Sequence, residues 1–159
     1  MTFRYQGKIN ETLKIELFDK ELIGSIDLTF LENIEYTNPK IYNLLPDICP
    51  FNFSNTVYGL NLNVVEKYRN QGYGAKIIHE CEKFLEKSNI KFFFLYRENN
   101  NRDLDRFYRK FGFIDILTTS DFILFYKSIS KTRPPYFVIV KYRKKISRKI
   151  FRKSEYLFV

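Results

Sequence analysis

The run Val64-Val65-Glu66-Lys67-Tyr68-Arg69-Asn70-Gln71-Gly72-Tyr73-Gly74-Ala75 constrains this chain more than any other stretch. An alternating apolar segment, Val57 to Val64, leads into it, and a helical pattern leaves it. The order is strand, glycine turn, helix. Such a turn leaves a row of backbone N–H groups unpaired at the start of the helix. Those donors and the positive end of the helix dipole favour a phosphate. Gly72 and Gly74 carry no β-carbon, so the backbone can approach a ligand closely.

Two phosphate-binding patterns fail on residues. A dinucleotide fingerprint needs a third glycine where Ile77 stands. A P-loop needs Gly-Lys followed by Ser or Thr; here Lys76 is followed by Ile77, and no glycine stands at the right distance upstream. What remains is Arg69-x-x-Gly72-x-Gly74, preceded by Tyr68 and by Val64.

The 159 residues allow one domain, and the 45% hydrophobic content is enough for a core. Cys49 and Cys81 form no disulfide framework, and Cys81 on the apolar face of a helix is expected reduced and buried. No apolar run approaches membrane-spanning length, and the N-terminus has no signal-peptide pattern. A cytoplasmic location is therefore expected.

Residues 1–35 read as strands. Leu13, Ile15 and Leu17 alternate with polar neighbours, Asp19-Lys20-Glu21 makes a tight connection, and alternation resumes from Leu22 to Phe30. Residues 32–55, with Pro39, Pro46 and Pro50, are irregular, with room for a short helix near 40–45. A loop that long is expected to help wall a substrate site. In the strand from Val57, Leu60, Leu62 and Val64 fall on one face and Asn61 and Asn63 on the other. The helix after the turn carries Ile77, Ile78, Cys81, Phe84 and Leu85 as its buried stripe, and His79 reads as a surface residue. Ile90 to Tyr96 is nearly continuously apolar, which suits a strand covered on both faces and completes a right-handed βαβ unit. Residues 97–101 read as a polar loop. Asn101 is a good N-cap for a second helix with Leu104, Phe107, Tyr108 and Phe111 as its apolar stripe and Gly112 as its stop. Residues 113–116 and 122–126 read as two more strands, joined by a turn at 118–121.

The turn Arg69-x-x-Gly72-x-Gly74 resembles motif A of the GCN5-related N-acetyltransferase (GNAT) family. Asn101 followed by Phe107-Tyr108-Arg109-Lys110-Phe111-Gly112-Phe113 is similar to the family's second signature, at the expected distance and with a strand between. The resemblance spans roughly Val57 to Phe113. Asp105 departs from it, where the family usually has an apolar residue, as does Glu66, where proline is common.

The resemblance implies a mixed, mostly antiparallel α/β sheet with a central βαβ unit and helices on both faces. It implies transfer of an acetyl group from acetyl-coenzyme A to a primary amine. It places the cofactor on Leu62, Asn63, Val64, Arg69, Asn70, Gln71, Gly72, Tyr73, Gly74, Ala75 and Asn101. Main-chain groups near Leu62, Asn63 and Val64 would pair with the pantetheine arm and polarise the thioester carbonyl. Tyr108 matches the tyrosine that donates to the leaving sulfur, a task suited to a phenol of pKa near 10. No metal is implied. The base is not identifiable, Glu35, Glu66 and Glu98 being candidates by neighbourhood only.

The end of the chain differs from the rest. Residues 131–159 carry a formal charge of +9 and the first 130 residues none. Residues 136–140 read as one more strand. The expected organisation is an acetyltransferase-like domain over 1–130 and a basic extension over 131–159. A solvated basic end and a site for RNA or another polyanion over 131–153 are both open. The competing function is an inactive module of the same fold that binds nucleic acid through this extension. The acceptor (a protein, a small amine or an RNA-linked amine) and the oligomeric state, a homodimer included, stay open.

Overall fold

Alternation of apolar and polar residues folds the start of the chain into three antiparallel strands: β1 (Thr2–Lys8), β2 (Thr12–Asp19) and β3 (Glu21–Phe30). The structure is a computed structural model and describes residues 1–30, 33, 55–98, 102–118 and 122–129. Leu13 and Ile15 on β2 lie opposite Leu28 and Ile26 on β3, and all four are buried. One face of the sheet therefore starts apolar at its first hairpin.

β4 (Thr56–Val64) pairs antiparallel with β3, and β5 (Phe92–Glu98) pairs parallel with β4. The crossover between them is α1 (Tyr73–Lys87), which buries Ile77, Ile78, Cys81 and Leu85 against the sheet. Each such aliphatic side chain contributes roughly 1.5–3 kcal/mol of burial, so this stripe fixes the helix on its face. α1 ends at Ser88, and Asn89 turns the chain with φ +56°. A second helix, α2 (Arg102–Lys110), follows β5. β6 (Ile114–Thr118) and β7 (Phe122–Ser128) complete a seven-stranded sheet in the order β1-β2-β3-β4-β5-β7-β6. Among the described strands, only the β4–β5 pair is parallel.

Both described helices lie on the same face. Tyr108 of α2 packs on Phe125 and Phe113, and Phe113 packs on Phe93, within the same core as the α1 stripe. The opposite face is also buried, with Tyr58, Phe94 and Leu124 fully enclosed and Tyr58 stacked on Tyr96. That double burial is why β5 reads as a continuous apolar run. Helical cover on this second face lies outside the described residues, as do the short helix near 40–45, the substrate-wall role of 34–54, the Asn101 cap, the turn at 119–121, the strand at 136–140 and the whole basic extension.

Two expectations change. Residues 97 and 98 belong to β5 rather than to a polar loop, and Arg97 is 5% exposed. Its guanidinium forms a bidentate pair with Asp105 on α2 and donates to the Glu98 carbonyl at 2.6 Å. Second, Leu60 does not share a face with Leu62 and Val64. Leu60 lies opposite Asp27 and Asn63 opposite Ser25, so β4 spends three steps where β3 spends two. Asn61, with φ +53°, absorbs the extra residue as a bulge. The phase slips by one, and only Leu62 and Val64 pack on the α1 core.

Candidate functional site

The sheet opens where β4 and β5 part. Their pairing runs from Thr56–Phe92 to Gly59–Leu95 and stops. Beyond Gly59, β4 keeps β3 on one side and has no strand on the other among the described residues. The main-chain groups of residues 60–64 on that side are therefore available to a ligand.

The glycine turn follows at once. A single 3₁₀ turn at Glu66–Tyr68 reverses the chain, and the Arg69 N–H donates to the Glu66 carbonyl at 3.0 Å. Arg69 Nε reaches back to the Val64 carbonyl at 2.9 Å, and Gln71 Nε2 to the Lys67 carbonyl at 2.9 Å. Both exposed side chains thus brace the turn. Asn70 (φ +61°) and Gly72 (φ +82°) are left-handed and aim the chain into α1. Gly72 is the N-cap and offers no side-chain cap, and the first turn contains no acid. The early N–H groups of α1 therefore meet no carboxylate and no capping oxygen of their own helix.

These parts line a cleft of about 570 Å³. β4 contributes Leu62, Asn63 and Val64; the turn and α1 contribute Tyr68, Arg69, Asn70, Gly72, Tyr73, Gly74 and Ala75; α2 contributes Asp103, Leu104, Phe107, Lys110 and Phe111. A β-carbon at Gly74 would lie 3.3 Å from the Phe107 ring and 3.7 Å from Val64, so α1 and α2 approach closely there. A β-carbon at Gly72 would meet nothing within 4 Å, so the space above the turn is open.

The structure brings nine of the expected cofactor residues to this cleft. Gln71 is not among the lining residues, because its side chain turns back on the 3₁₀ turn. Asn101 lies outside the described residues. Tyr108 sits one layer behind, buried against Phe113 and Phe125 with its neighbour Phe107 on the cleft. Burial pushes its phenol up to about 12, so the hydroxyl keeps its proton at neutral pH. The α2 wall was legible only in part. Asp103, Phe107 and Lys110 recur at helical spacing, but nothing in that pattern separates a cleft face from a solvated one.

Tyr68 is fixed at the mouth. Its hydroxyl donates to Glu21 at 2.5 Å, and the Lys67 ammonium bonds the same carboxylate. The Tyr68 ring meets Tyr73 edge-on at 5.8 Å. The hydrogen bonds from Lys67 and then Tyr68 hold the Glu21 carboxyl below its ordinary range. Of the neighbourhood bases, Glu66 and Glu98 are exposed and Glu35 lies outside the described residues. His79 is exposed as well. Cys81 is a free, buried cysteine, and burial pushes its thiol up.

Comparison with known proteins gives one family and a set of folds. The profile of the acetyltransferase (GNAT) family matches residues 5–113. No curated protein sequence matches the chain. A PaiA N-acetyltransferase from Thermoplasma acidophilum, solved with coenzyme A, is 25% identical with a TM-score of 0.54. The alignment covers 74% of this chain and 61% of that one, so this chain spans about three fifths of the relative's length. NAA60 of Arabidopsis thaliana, solved with acetyl-CoA, is 22% identical over 75% of this chain and 77% of its own, with a TM-score of 0.53. The ribosomal-protein-S18-alanine N-acetyltransferase of Escherichia coli is 16% identical over 82% and 76%, with a TM-score of 0.57. The last two share the fold.

Proposed function

Because the chain belongs to the acetyltransferase (GNAT) family, we propose that it transfers an acetyl group from acetyl-coenzyme A to a primary amine. The observation that carries this reading is the opening of the sheet beyond Gly59 beside the uncapped N-terminus of α1. A long ligand with a diphosphate at one place and amide groups along an arm matches both halves of that surface.

The residues present fit such a ligand. The open space above Gly72 leaves room for a diphosphate, and the first N–H groups of α1 supply its donors. Arg69 works from within the turn, tied to the Val64 carbonyl, and holds those donors in place. The unpaired edge at Leu62, Asn63 and Val64 offers donors and acceptors to the amides of a pantetheine arm, as an added strand would. When bound, the cofactor supplies the acetyl group as a thioester. A main-chain N–H of this edge would stabilise the negative charge that develops on the thioester oxygen. Tyr108 keeps its proton and stands behind Phe107 on the cleft wall, and its hydroxyl is the group we assign to hydrogen-bond the departing sulfur. The neighbour solved with coenzyme A supports the donor.

The acceptor is read more coarsely. Residues 1–130 form the acetyltransferase domain and 131–159 a basic extension that favours a polyanionic partner, such as an amine carried on RNA. A cytoplasmic protein fits this reading.

The test is calorimetric titration with acetyl-coenzyme A, beside a variant that changes Arg69, Gly72 and Gly74 together. Saturable binding that the variant loses is expected. No binding at millimolar cofactor would remove the enzyme reading.

A further inference from the structure

The amine that attacks a thioester must first lose a proton, and neither exposed glutamate beside the cleft is held to receive it. On the face of the sheet turned away from α1 and α2, β3 carries Asp27. Its partner on β4 is Leu60, the first residue beyond the β4–β5 pairing. The bulge at Asn61 follows, and Asn61 Nδ2 donates to Asp27 Oδ2 at 3.0 Å. The other oxygen, Oδ1, is different. It is the one buried side-chain polar atom among the described residues that has no hydrogen-bond partner. Buried polar atoms are almost always satisfied, so an orphan asks for a role.

The charged groups around it are few. Lys14 lies directly across on β2, with Nζ 3.9 Å from Oδ1, too far for a hydrogen bond. Glu16, next along the same face of β2, is buried and accepts from Gln6 Nε2 at 2.9 Å. On β4, Leu60 and Asn61 bring no charge. One carboxylate oxygen is thus held by Asn61, and the other, ion-paired with Lys14, has no hydrogen-bond donor.

We propose that Asp27 is the proton acceptor for the amine, an assignment that rests on the acetyl-transfer reading. The cleft is lined by Leu62 and Val64 of β4, which pack on the α1 core, and Asp27 pairs with Leu60 at the point where β4 and β5 stop pairing. The acceptor approaches Asp27 as an ammonium. One N–H bond breaks and an Oδ1–H bond forms. The freed nitrogen lone pair makes the N–C bond to the acetyl carbon, and the C–S bond breaks with its electron pair on sulfur. The surplus proton on the new amide nitrogen passes to sulfur, giving the thiol. Asp27 returns its proton to water.

Asp27→Asn keeps the shape and can still accept from Asn61, but it cannot take a proton. The assay is release of coenzyme A thiol with saturating n-propylamine as a generic probe, read against pH, with calorimetry of acetyl-coenzyme A alongside. The expected result is a loss of kcat of about 100-fold, the low end for a general base, with cofactor affinity unchanged. Asp27→Glu should recover part of the rate. An Asp27→Asn rate within about threefold of the parent chain would overturn the assignment. Parallel loss of cofactor binding and rate would also overturn it, by making Asp27 structural. So would a parent chain that binds cofactor yet acetylates none of the probe. A parent chain that binds no cofactor overturns the acetyl-transfer reading itself, a distinct outcome.

Discussion

At Gly74 the two helices that line the cleft come within reach of one another, and a single β-carbon decides whether they still fit. Added there, it would lie 3.3 Å from the Phe107 ring. Gly74→Val should push Phe107 into the cleft and weaken acetyl-coenzyme A binding roughly tenfold, about 1.4 kcal/mol, by calorimetry. Gly74→Ala should cost less, because one ring shift accommodates it. Tyr108 makes the opposite kind of prediction. Tyr108→Phe keeps the ring among Phe107, Phe113 and Phe125 and removes only the hydroxyl. Turnover should fall while cofactor affinity holds. The raised phenol has a signature in stability too. Folding favours the protonated form, so its contribution is complete below the unfolded pKa of 10.0 and is lost as pH rises toward the folded value of about 12. Urea unfolding should show the parent chain losing ground to Tyr108→Phe above pH 10, and no change in their difference between pH 6 and 9.

Arg97 and Asp105 tie the end of β5 to the first turns of α2, the helix that walls the cleft. The Arg97 side chain is 4% exposed and that of Asp105 24%. The hydrogen bonds between them hold the Asp105 carboxyl below its usual range and raise the guanidinium further. Asp105→Leu strands a buried cation and should destabilise the fold by about 3 kcal/mol in urea unfolding, the low end for breaking a buried pair. Adding Arg97→Met should restore most of that, because an apolar pair satisfies the same packing. A double variant no more stable than Asp105→Leu would show that the tie is not what the site needs. This pair also shows where sequence reading stops. Period-two alternation makes β2, β3 and β4 legible, and the glycine turn makes α1 legible, because those signals are local. An arginine at the end of an apolar run reads as a loop until its partner eight residues on is seen to fold against it. The bulge at Asn61 is silent for the same reason: alternation continues in the letters while one left-handed residue shifts its phase in space. Asn61→Gly and Asn61→Val both give up the hydrogen bond to Asp27, but only valine strains the left-handed backbone, so Asn61→Val should be less stable than Asn61→Gly by roughly 1–2 kcal/mol, measured by thermal unfolding.

Across the whole molecule, the charge excess and the described sheet fall in different parts of the chain. The seven described strands and the described lining of the cleft all precede residue 129, whose N–H donates to the Lys91 carbonyl at 2.8 Å. The entire formal charge excess lies beyond it. If acetyl-donor binding is a property of the sheet and polyanion binding a property of the extension, the two must separate on cutting between 130 and 131. The truncated chain should bind acetyl-coenzyme A with an affinity within about threefold of the full chain, since it keeps every described residue that lines the cleft. Its binding to tRNA should fall to background, and the steep salt dependence of the full chain, set by released counterions, should disappear with it. A cut one element earlier, before β7, is the control that must fail. β7 stands between β5 and β6, and its Phe125 holds Tyr108, so its loss should abolish folding and cofactor binding together. Retained tRNA affinity with its salt slope in the 1–130 chain would place the polyanion surface on the sheet. The extension would then be a solvated end, and the acceptor would have to be sought beside Asp27 alone.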